Sequence, residues 1–401
     1  MDKIFLLKNT VQPYAWGSFT AIPKLLGHAY PSDSPQAELW MGAHPKAPSM
    51  VEYENNWQPL DKLIEKYPDK ILGKAAAARF DNKLPYLFKV LAAAQPLSLQ
   101  AHPSLDQAKE GFRRENSMGI PLDAPHRNYK DDNHKPECIC ALTSFWALNG
   151  FRKIPETLSL FKLLSPSGLQ SRLKRLREHQ NPEGLKHFFH GIMTLTPDLQ
   201  KQITDECLAK IDRHLQENAI FRWMVTLAAA YPANIGILSP IILNLICLQP
   251  GEAMFLPAGE LHAYLEGTGI ELMANSDNVL RGGLTSKHID LEALLNVLNF
   301  DQREIEIIAP QLQNNGEKVY PSQAEEFVLS VLSLTKGITY ESSINRSIEI
   351  MICTQGQAVI RDIANQEEIA IGRGTSLAIP AAVKKYCIDG SATLYKAAVP
   401  V

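Results

Sequence analysis

The stretch SIEIMICTQGQAVIRDIANQEEIAIGRGTSLAIP, residues 347–380, decides the fold class. It contains four short runs rich in valine and isoleucine, separated by glycine, asparagine or charged turns: 347–353, 357–363, 367–371 and 375–379. Short runs at about ten-residue spacing are typical of antiparallel β-sandwiches and jelly rolls. Similar runs flank the stretch at 326–334 and 393–398. Residues 301–401 are therefore predicted to form a C-terminal β-sandwich.

The hydrophobic pattern divides the rest of the chain. From residue 154 to 231, apolar residues recur at three-to-four spacing, as in LQSRLKRLREHQ (169–180), and this pattern indicates amphipathic helices. On either side strands predominate; KLPYLFKVLAAAQPLSLQ (83–100), for example, is predicted as two strands. We predict a mainly β protein, made of jelly-roll β-sandwiches with an α-helical insertion. The predicted units are a first β domain in two parts, 1–151 and 232–300, the insertion 152–231, and the C-terminal domain 301–401.

Three further helices are predicted outside the insertion, at 60–72, 104–115 and 287–298. The second opens with SLDQ, in which Ser104 and Gln107 have the spacing of a capping box. The most apolar stretch, 235–256, is interrupted by prolines, an asparagine and a glutamate. It is therefore predicted as two buried strands and not as a membrane span.

Composition and charge exclude several classes of protein. Hydrophobic residues make up 45% and charged residues 21%, as in soluble globular proteins, so a disordered or coiled-coil chain is excluded. The formal net charge of −3, without a basic cluster, argues against binding a nucleic acid. Six cysteines without framework spacing indicate reduced thiols, and MDKIFLLKNT lacks the apolar region of a signal peptide. We expect a cytoplasmic protein.

Three segments carry groups suited to chemistry. In SLQAHP (98–103), a strand would place Gln100 and His102 on one face, about 7 Å apart. Taken alone, two exposed polar residues at a strand end explain this segment equally simply. In YKDDNHKPE (129–137), Glu137 heads an apolar strand and Lys135 can share its face. A solvated charged loop is the alternative, although Glu137 is poorly placed to stay hydrated.

The third segment runs from residue 257 to 283. PAGELHAY places His262 and Tyr264 on one strand face, and further on apolar residues bracket Asp277 and Arg281. Charges in an apolar setting are expected to face a cleft. Together with the first two segments, the chain offers one amide oxygen, two imidazoles and one carboxylate. Such a set suits a zinc-like divalent ion with an open coordination position. The proposed donors are Gln100, His102, Glu137 and His262.

Longer motifs resemble a known family. YKDDNHKPE (129–137) and HAYLEGTGIELMANSDNVLRGGLTSKH (262–288) resemble the two signature segments of type I mannose-6-phosphate isomerases, also called phosphomannose isomerases, of the cupin superfamily. YAWGS (14–18), ELWMGAHP (38–45) and LSLQAHPS (97–104) add matching pieces in the same order. The similarity spans the whole chain. It departs from the family pattern at Gly282, where alanine is usual, and at Ser286, where proline usually precedes Lys287.

The resemblance implies a fold, a cofactor and a set of roles. It implies a catalytic cupin-like barrel that holds one zinc ion through Gln100, His102, Glu137 and His262. It places Arg281 at the reacting end of a sugar phosphate, and it implies that His134, Lys135, Asp277 and Tyr264 line the pocket and that Ser98 and Lys287 help to bind the phosphate. For the chemistry itself, a buried Lys135 near other cations is a candidate base, with Asp277 or His134 moving the ring-opening proton, and the group that takes the C2 proton is left open.

The implied reaction converts mannose 6-phosphate and fructose 6-phosphate into each other through a cis-enediol, in mannose metabolism and the supply of GDP-mannose precursors. The expected partner is a small sugar phosphate, with no nucleic acid, no membrane and no second subunit. One rival is a non-catalytic, metal-containing cupin that binds or senses a sugar phosphate. A second is an iron-dependent cupin oxygenase, whose histidine-rich ligand set differs from the glutamine-containing set here.

Overall fold

Two antiparallel β-sheets and a block of helices make up the computed structural model, which describes residues 1–212 and 215–401. Arg213 and His214, which fall within the predicted helical insertion, lie outside the described residues. The mainly β architecture with an α-helical insertion is confirmed. Within the described ranges, no helix has the length and apolar character needed to cross a membrane.

The first 151 residues supply nine strands and five helices: β1 Phe5–Lys8, β2 Thr10–Gln12, α1 Ala21–Leu26, β3 Glu38–Gly42, β4 Met50–Tyr53, β5 Asn56–Pro59, α2 Leu60–Lys66, α3 Pro68–Ile71, α4 Lys74–Arg79, β6 Tyr86–Ala93, β7 Leu99–Ala101, α5 Leu105–Ser117, β8 Glu137–Ala141 and β9 Phe145–Phe151. The capping box at the start of α5 is confirmed, since Ser104 Oγ accepts from Gln107 N and Gln107 Oε1 accepts from Ser104 N.

The middle of the chain is helical and then returns to strands. The helices are α6 Ile154–Leu164, α7 Gln170–Glu178, α8 Pro182–Met193, α9 Pro197–Ala209, α10 Ala219–Ala230 and α11 Ser239–Ile242, with short 3-10 turns at Ser167–Leu169, Leu215–Glu217 and Ile235–Leu238. The next elements are β10 Leu243–Leu248, β11 Ala253–Leu256, β12 His262–Ala274, β13 Leu280–Gly283 and α12 Leu291–Val297.

The C-terminal part contains only strands: β14 Gln311–Leu312, β15 Lys318–Tyr320, β16 Val328–Leu334, β17 Tyr340–Glu341, β18 Glu349–Asp362, β19 Glu368–Gly372, β20 Ser376–Ile379 and β21 Tyr386–Ala398. The runs predicted at 347–353 and 357–363 are one strand, β18. Its register against β21 shifts between Cys353 and Gln355, next to Gly356 at φ +76°. A bulge of this kind bends a strand without ending it.

The helical block extends further than predicted. Residues 235–242, expected to start a buried strand, form a 3-10 turn and α11, with Asn234 Oδ1 accepting from Gly236 N at 2.8 Å. All eight of these residues are buried. Hydrophobic periodicity cannot separate a fully buried short helix from a buried strand, which explains the difference.

The two sheets do not follow the predicted domain boundaries. One sheet has ten strands, with the central order β10-β9-β12-β6-β3-β2 and with β7, β8, β11 and β13 attached. The other has eleven strands and combines the C-terminal strands with β1, β4 and β5 from the N-terminal segment. Phe5 of β1 pairs with Ala378 of β20, and it packs in the same core as Ile350. This pairing and apolar packing hold β1 in the eleven-stranded sheet.

Strand register in the ten-stranded sheet gathers the polar segments noted in the sequence. Gln100 of β7 pairs with His262 of β12 on one side and with Arg281 of β13 on the other. Glu137 of β8 pairs with Met273 of β12. The helical block covers this sheet from one side, because its apolar residues share a core with Leu99, Leu148 and Ala263.

Candidate active site

A cavity of about 620 Å³ opens onto the ten-stranded sheet. We call it the central cavity. Strands β3, β6, β7, β8, β12 and β13 contribute to its wall, and the loops before β8 and after β13 contribute to its mouth. Among the predicted site residues, those that line it are Ser98, Gln100, Lys135, Glu137, Tyr264, Asp277, Arg281 and Lys287.

Three of the four predicted metal donors meet beside this cavity. His102, Glu137 and His262 are buried, and their donor atoms lie within 4.8 Å of one another. His102 Nε2 is 3.2 Å from Glu137 Oε1, and His262 Nε2 is 3.5 Å from Glu137 Oε2. Gln100 lies directly across the strand pair from His262 and faces the central cavity. Residues paired in this way have Cβ atoms about 5 Å apart, so Gln100 can supply a fourth donor.

The hydrogen bonds of the two histidines fix their tautomers. His102 Nδ1 is 2.7 Å from the carbonyl oxygen of Asn278, and His262 Nδ1 is 2.9 Å from that of Glu260. Because a carbonyl only accepts, each Nδ1 must carry the proton and each Nε2 a lone pair. Both Nε2 atoms are buried and make no hydrogen bond to any described residue. Two bare, converging nitrogen lone pairs are what a metal ion requires.

The charge states of these groups also suit a cation. Burial, together with the nearby Lys135 ammonium, lowers the pKa of His102 to about 4, so its imidazole is neutral at neutral pH. Burial alone would raise the pKa of Glu137, but the charge on Lys135 holds it well below its usual range. The set of two imidazoles, one carboxylate and one amide is that of a zinc site with room for a further ligand.

Lys135, Tyr264 and Asp277 surround the donors. Lys135 Nζ lies 3.1 Å from Glu137 Oε1, and the Tyr264 hydroxyl donates to Glu137 Oε2 at 3.4 Å. Asp277 lies nearer the mouth, where its carboxylate pairs with Lys46 at 2.7 Å. Burial would raise the pKa of Asp277, but the hydrogen bond from Lys46 lowers it below its ordinary value.

His134 is placed differently from the expectation. It does not line the central cavity, and its Nε2 lies 2.5 Å from Oε1 of Glu326, a residue next to β16 of the eleven-stranded sheet. The side chain of His134 therefore points toward the eleven-stranded sheet.

The mouth of the central cavity is cationic. Arg281 is half-buried, and this burial lowers its pKa. Lys130, which the sequence pattern did not single out, also lines the cavity. Burial and the positive charges of Lys46, Arg281 and Lys287 lower its pKa. Several cations around one opening attract a small anion.

The two positions that depart from the family pattern, Gly282 and Ser286, lie next to the residues of this cationic mouth. A Cβ atom added at Gly282 would meet Leu261 Cδ1 at 2.8 Å, so the close packing of Leu261 on this backbone excludes alanine unless that side chain moves. Ser286 lines the cavity beside Lys287.

Sequence reasoning missed a buried ionic group at the base of the cavity. Lys89 Nζ lies 2.9 Å from Glu271 Oε2 and 3.4 Å from Glu38 Oε1. Glu38 Oε2 also accepts a hydrogen bond from Trp40 Nε1 at 2.7 Å. The sequence does contain a signal, because Lys89 is the one charge in the apolar strand β6 and Glu38 and Glu271 adjoin apolar residues of β3 and β12. Such isolated charges need buried partners.

Comparisons with known proteins agree with one another. A family model described as "Phosphomannose isomerase type I, catalytic domain" matches residues 4–154. The mannose-6-phosphate isomerase of Salmonella typhimurium (strain LT2) is 40% identical over 380 residues, 94% of each chain. That of Escherichia coli (strain K12) is 38% identical over 374 residues, 93% of this chain and 94% of its own.

A solved structure shows the same likeness in three dimensions. The crystal structure of mannose 6-phosphate isomerase from Salmonella typhimurium, bound to substrate and a zinc atom, superposes with a TM-score of 0.91. The two sequences are 37% identical in this alignment, which covers 99% of this chain and all of the other.

Proposed function

The chain belongs to the type I phosphomannose isomerase family, and we propose that it catalyses the reversible conversion of D-mannose 6-phosphate into D-fructose 6-phosphate. The observation that carries the proposal is the pair of bare Nε2 atoms of His102 and His262, which converge on Glu137 beside a cavity with a cationic mouth. A metal donor set beside an anion-attracting pocket suits an aldose–ketose isomerisation of a sugar phosphate.

We propose that one zinc ion per chain is held by Gln100, His102, Glu137 and His262. When bound, a divalent cation supplies Lewis-acid polarisation of the substrate's oxygens. The protein's part is to present these donors in the correct charge state. It does so through the backbone carbonyls that hold each Nδ1–H and through the low pKa of Glu137.

The isomerisation itself is proposed to pass through a cis-enediol. After ring opening, the proton on C2 is removed and the C1 carbonyl becomes a hydroxyl. A proton then returns to C1 while the C2 oxygen becomes the ketone. The half-buried Arg281 offers a fixed cation for the negative charge that develops on oxygen. Lys135 is the candidate base and would act in its neutral amine form, because an ammonium cannot accept a proton; Tyr264 holds the carboxylate beside it.

Ring opening and phosphate binding are assigned to the mouth of the central cavity. Asp277 lines the cavity and is the candidate for moving the ring-opening proton. The side chain of His134 faces Glu326, so we do not propose the same role for it. Ser98 and Lys287 also line the cavity and are proposed to bind the phosphate.

In metabolism, the proposed enzyme connects the fructose 6-phosphate pool to mannose 6-phosphate, and so to precursors of GDP-mannose. We propose that it works in the cytoplasm as a monomer. For the compartment, the support is that all six cysteines are free thiols, five of them buried. Free thiols persist in a reducing compartment.

The test is an assay of the purified protein on mannose 6-phosphate, with fructose 6-phosphate formation coupled to NADPH production. We expect turnover that a chelator abolishes and added zinc restores. In D₂O, the product should acquire deuterium, because a proton released from C2 exchanges with solvent. A protein that holds stoichiometric zinc and binds the sugar phosphate without turnover would be a sensor, contrary to the proposal. Turnover without any deuterium uptake would contradict release of the C2 proton to a group that exchanges with solvent.

A further inference from the structure

A hydrogen bond between His134 and Glu326 joins the segment that carries Lys135 to the C-terminal part of the chain. His134 Nε2 and Glu326 Oε1 are 2.5 Å apart, and the two side chains are 26% and 10% exposed. The other carboxylate oxygen, Glu326 Oε2, is buried and has no hydrogen-bond partner among the described residues. Burial would raise the pKa of Glu326, but the hydrogen bond with His134 and the charge on that ring bring it below its ordinary value.

Glu326 is itself rigidly placed. The next residue, Phe327, is 1% exposed and packs in a core that also contains Phe88 and Cys138 of the ten-stranded sheet. Strand β16 begins directly after it, at Val328. The carboxylate is thus attached to a backbone that cannot shift without disturbing the core between the two sheets.

The segment on the other side of the ion pair leads into the metal site. Asp131 Oδ2 accepts from the amide of Asp277 at 2.7 Å, and the Asn278 side chain donates to the carbonyls of Asp131 and Asn133. These bonds secure residues 131–133 to the loop that also orients His102. Within residues 131–135, none of these hydrogen bonds involves a residue after Asn133. The next side chain along the sequence, His134, contacts Glu326.

We propose, on the basis of the function proposed above, that Glu326 is a positioning residue for the isomerisation: by holding His134 it sets the backbone path that brings Lys135 Nζ to Glu137 and the central cavity. A base displaced by about 1 Å can lose about 100-fold in rate. The C-terminal domain, residues 301–401, therefore contributes to the site although none of its residues lines the cavity.

The neighbouring residue provides a matched control. Glu325 is also at the start of β16, is 74% exposed, and forms an ion pair with Arg79, a residue of α4. This pair also joins the C-terminal segment to the N-terminal part of the chain, but Arg79 lies far along the sequence from the segment that carries Lys135. Replacing Glu325 removes the same charge without releasing His134.

The test compares Glu326→Ala, Glu326→Gln and Glu325→Ala in the zinc-loaded protein. Glu326→Ala should lower kcat by about 10- to 100-fold, with KM within about threefold and zinc content unchanged. Glu326→Gln keeps an acceptor for the His134 ring and should recover part of the loss. Glu325→Ala should match the parent. If Glu326→Ala is inactive because it unfolds, Glu326→Gln and His134→Gln still report on the contact.

Hydrogen exchange supplies a measurement that does not depend on activity. Amides in residues 130–135 should exchange at least about fivefold faster in Glu326→Ala than in the parent or in Glu325→Ala, because local opening becomes easier. Unchanged exchange in this segment, or a parent-like kcat in both Glu326 variants, would overturn the proposal. A parent protein that shows no turnover would contradict the proposed function, while the exchange result would still decide the role of Glu326.

Discussion

Replacing Lys89 with methionine tests the buried ionic group below the central cavity. Lys89 is 5% exposed and lies between Glu271 and Glu38, which are 3% and 7% exposed. Burial would lower the pKa of Lys89, but the two carboxylates raise it above its ordinary value, so it is an ammonium ion. Methionine has a similar volume and no charge. The substitution therefore leaves two buried carboxylates without their cation.

The expected loss follows from these contacts. Removing one partner of a buried pair costs about 3–5 kcal/mol, because the remaining charge is neither hydrated nor compensated. Glu38 keeps the hydrogen bond from Trp40 Nε1, whereas Glu271 loses the ammonium 2.9 Å away. Most of the cost should therefore fall on Glu271. A domain is stable by about 5–15 kcal/mol, so the loss is a large fraction of the total stability.

The pH dependence identifies the group that is responsible. Burial already raises the pKa of Glu271 above its ordinary value of 4.5, and Lys89 opposes this rise. Without Lys89 the folded state binds a proton on Glu271 more tightly than the unfolded state does. The variant's free energy of unfolding should then decrease as pH rises from about 4.5 to 7. The deficit relative to the parent should be smallest at the acidic end.

Urea unfolding of the parent and of Lys89→Met at pH 5 and pH 7 measures the difference in their free energies of unfolding. The comparison requires that the two proteins have the same m-value, the slope of that free energy against urea concentration. The double variant Lys89→Met/Glu271→Gln provides the control, because it removes the uncompensated charge. It should recover at least half of the loss at pH 7. A double variant no more stable than Lys89→Met, or a deficit independent of pH, would refute the assignment of the cost to Glu271.

Three other predictions follow from the site. His102→Ala and His262→Ala should each lose zinc and activity together, because each removes a bare Nε2; elemental analysis showing stoichiometric zinc would refute the ligand assignment. Arg281→Ala should keep zinc while kcat falls by about 100- to 1,000-fold; a change in KM alone would make Arg281 a binding residue. Burial lowers the pKa of His44 to about 4 in the folded protein. As pH falls from 6.5 to 4, the imidazole is therefore protonated in the unfolded state before it is protonated in the folded state, and the protein loses stability. His44→Gln should reduce that loss by about 3 kcal/mol in pH-dependent urea unfolding, and an unchanged slope would contradict a buried neutral imidazole.

The proposed metal donors could be selected as candidates from the sequence because their chemistry is local. Two imidazoles and a carboxylate at strand ends, next to apolar runs, have the residue types of a metal site, although the sequence does not show that they converge. That Gln100 pairs with both His262 and Arg281 could not be predicted from spacing, since strand register depends on contacts between distant parts of the chain. The family resemblance supplied only the grouping of the four proposed donors in one site, and the pairing of β7 with β12 and β13 gives a physical basis for that grouping.

Two features could not be derived from local patterns. Strand β1 is a short apolar run in the sequence, and only its packing beside Ile350 places it in the C-terminal sheet. His134 precedes Lys135 in the chain, so sequence order suggested a shared role. The two side chains diverge: Lys135 Nζ lies 3.1 Å from Glu137 Oε1, while His134 contacts Glu326 on the other side.

The distribution of charge explains how a chain with a net charge of −3 can bind an anion. The floor of the central cavity combines the carboxylates of Glu38, Glu137 and Glu271 with the ammonium groups of Lys89 and Lys135, which leaves one net negative charge. A divalent cation at His102, Glu137 and His262 would reverse its sign. Because the cationic mouth is present without the metal, we expect loss of the ion to weaken sugar-phosphate binding less than it weakens turnover. The phosphate and the reacting carbons thus depend on two separate sets of charges.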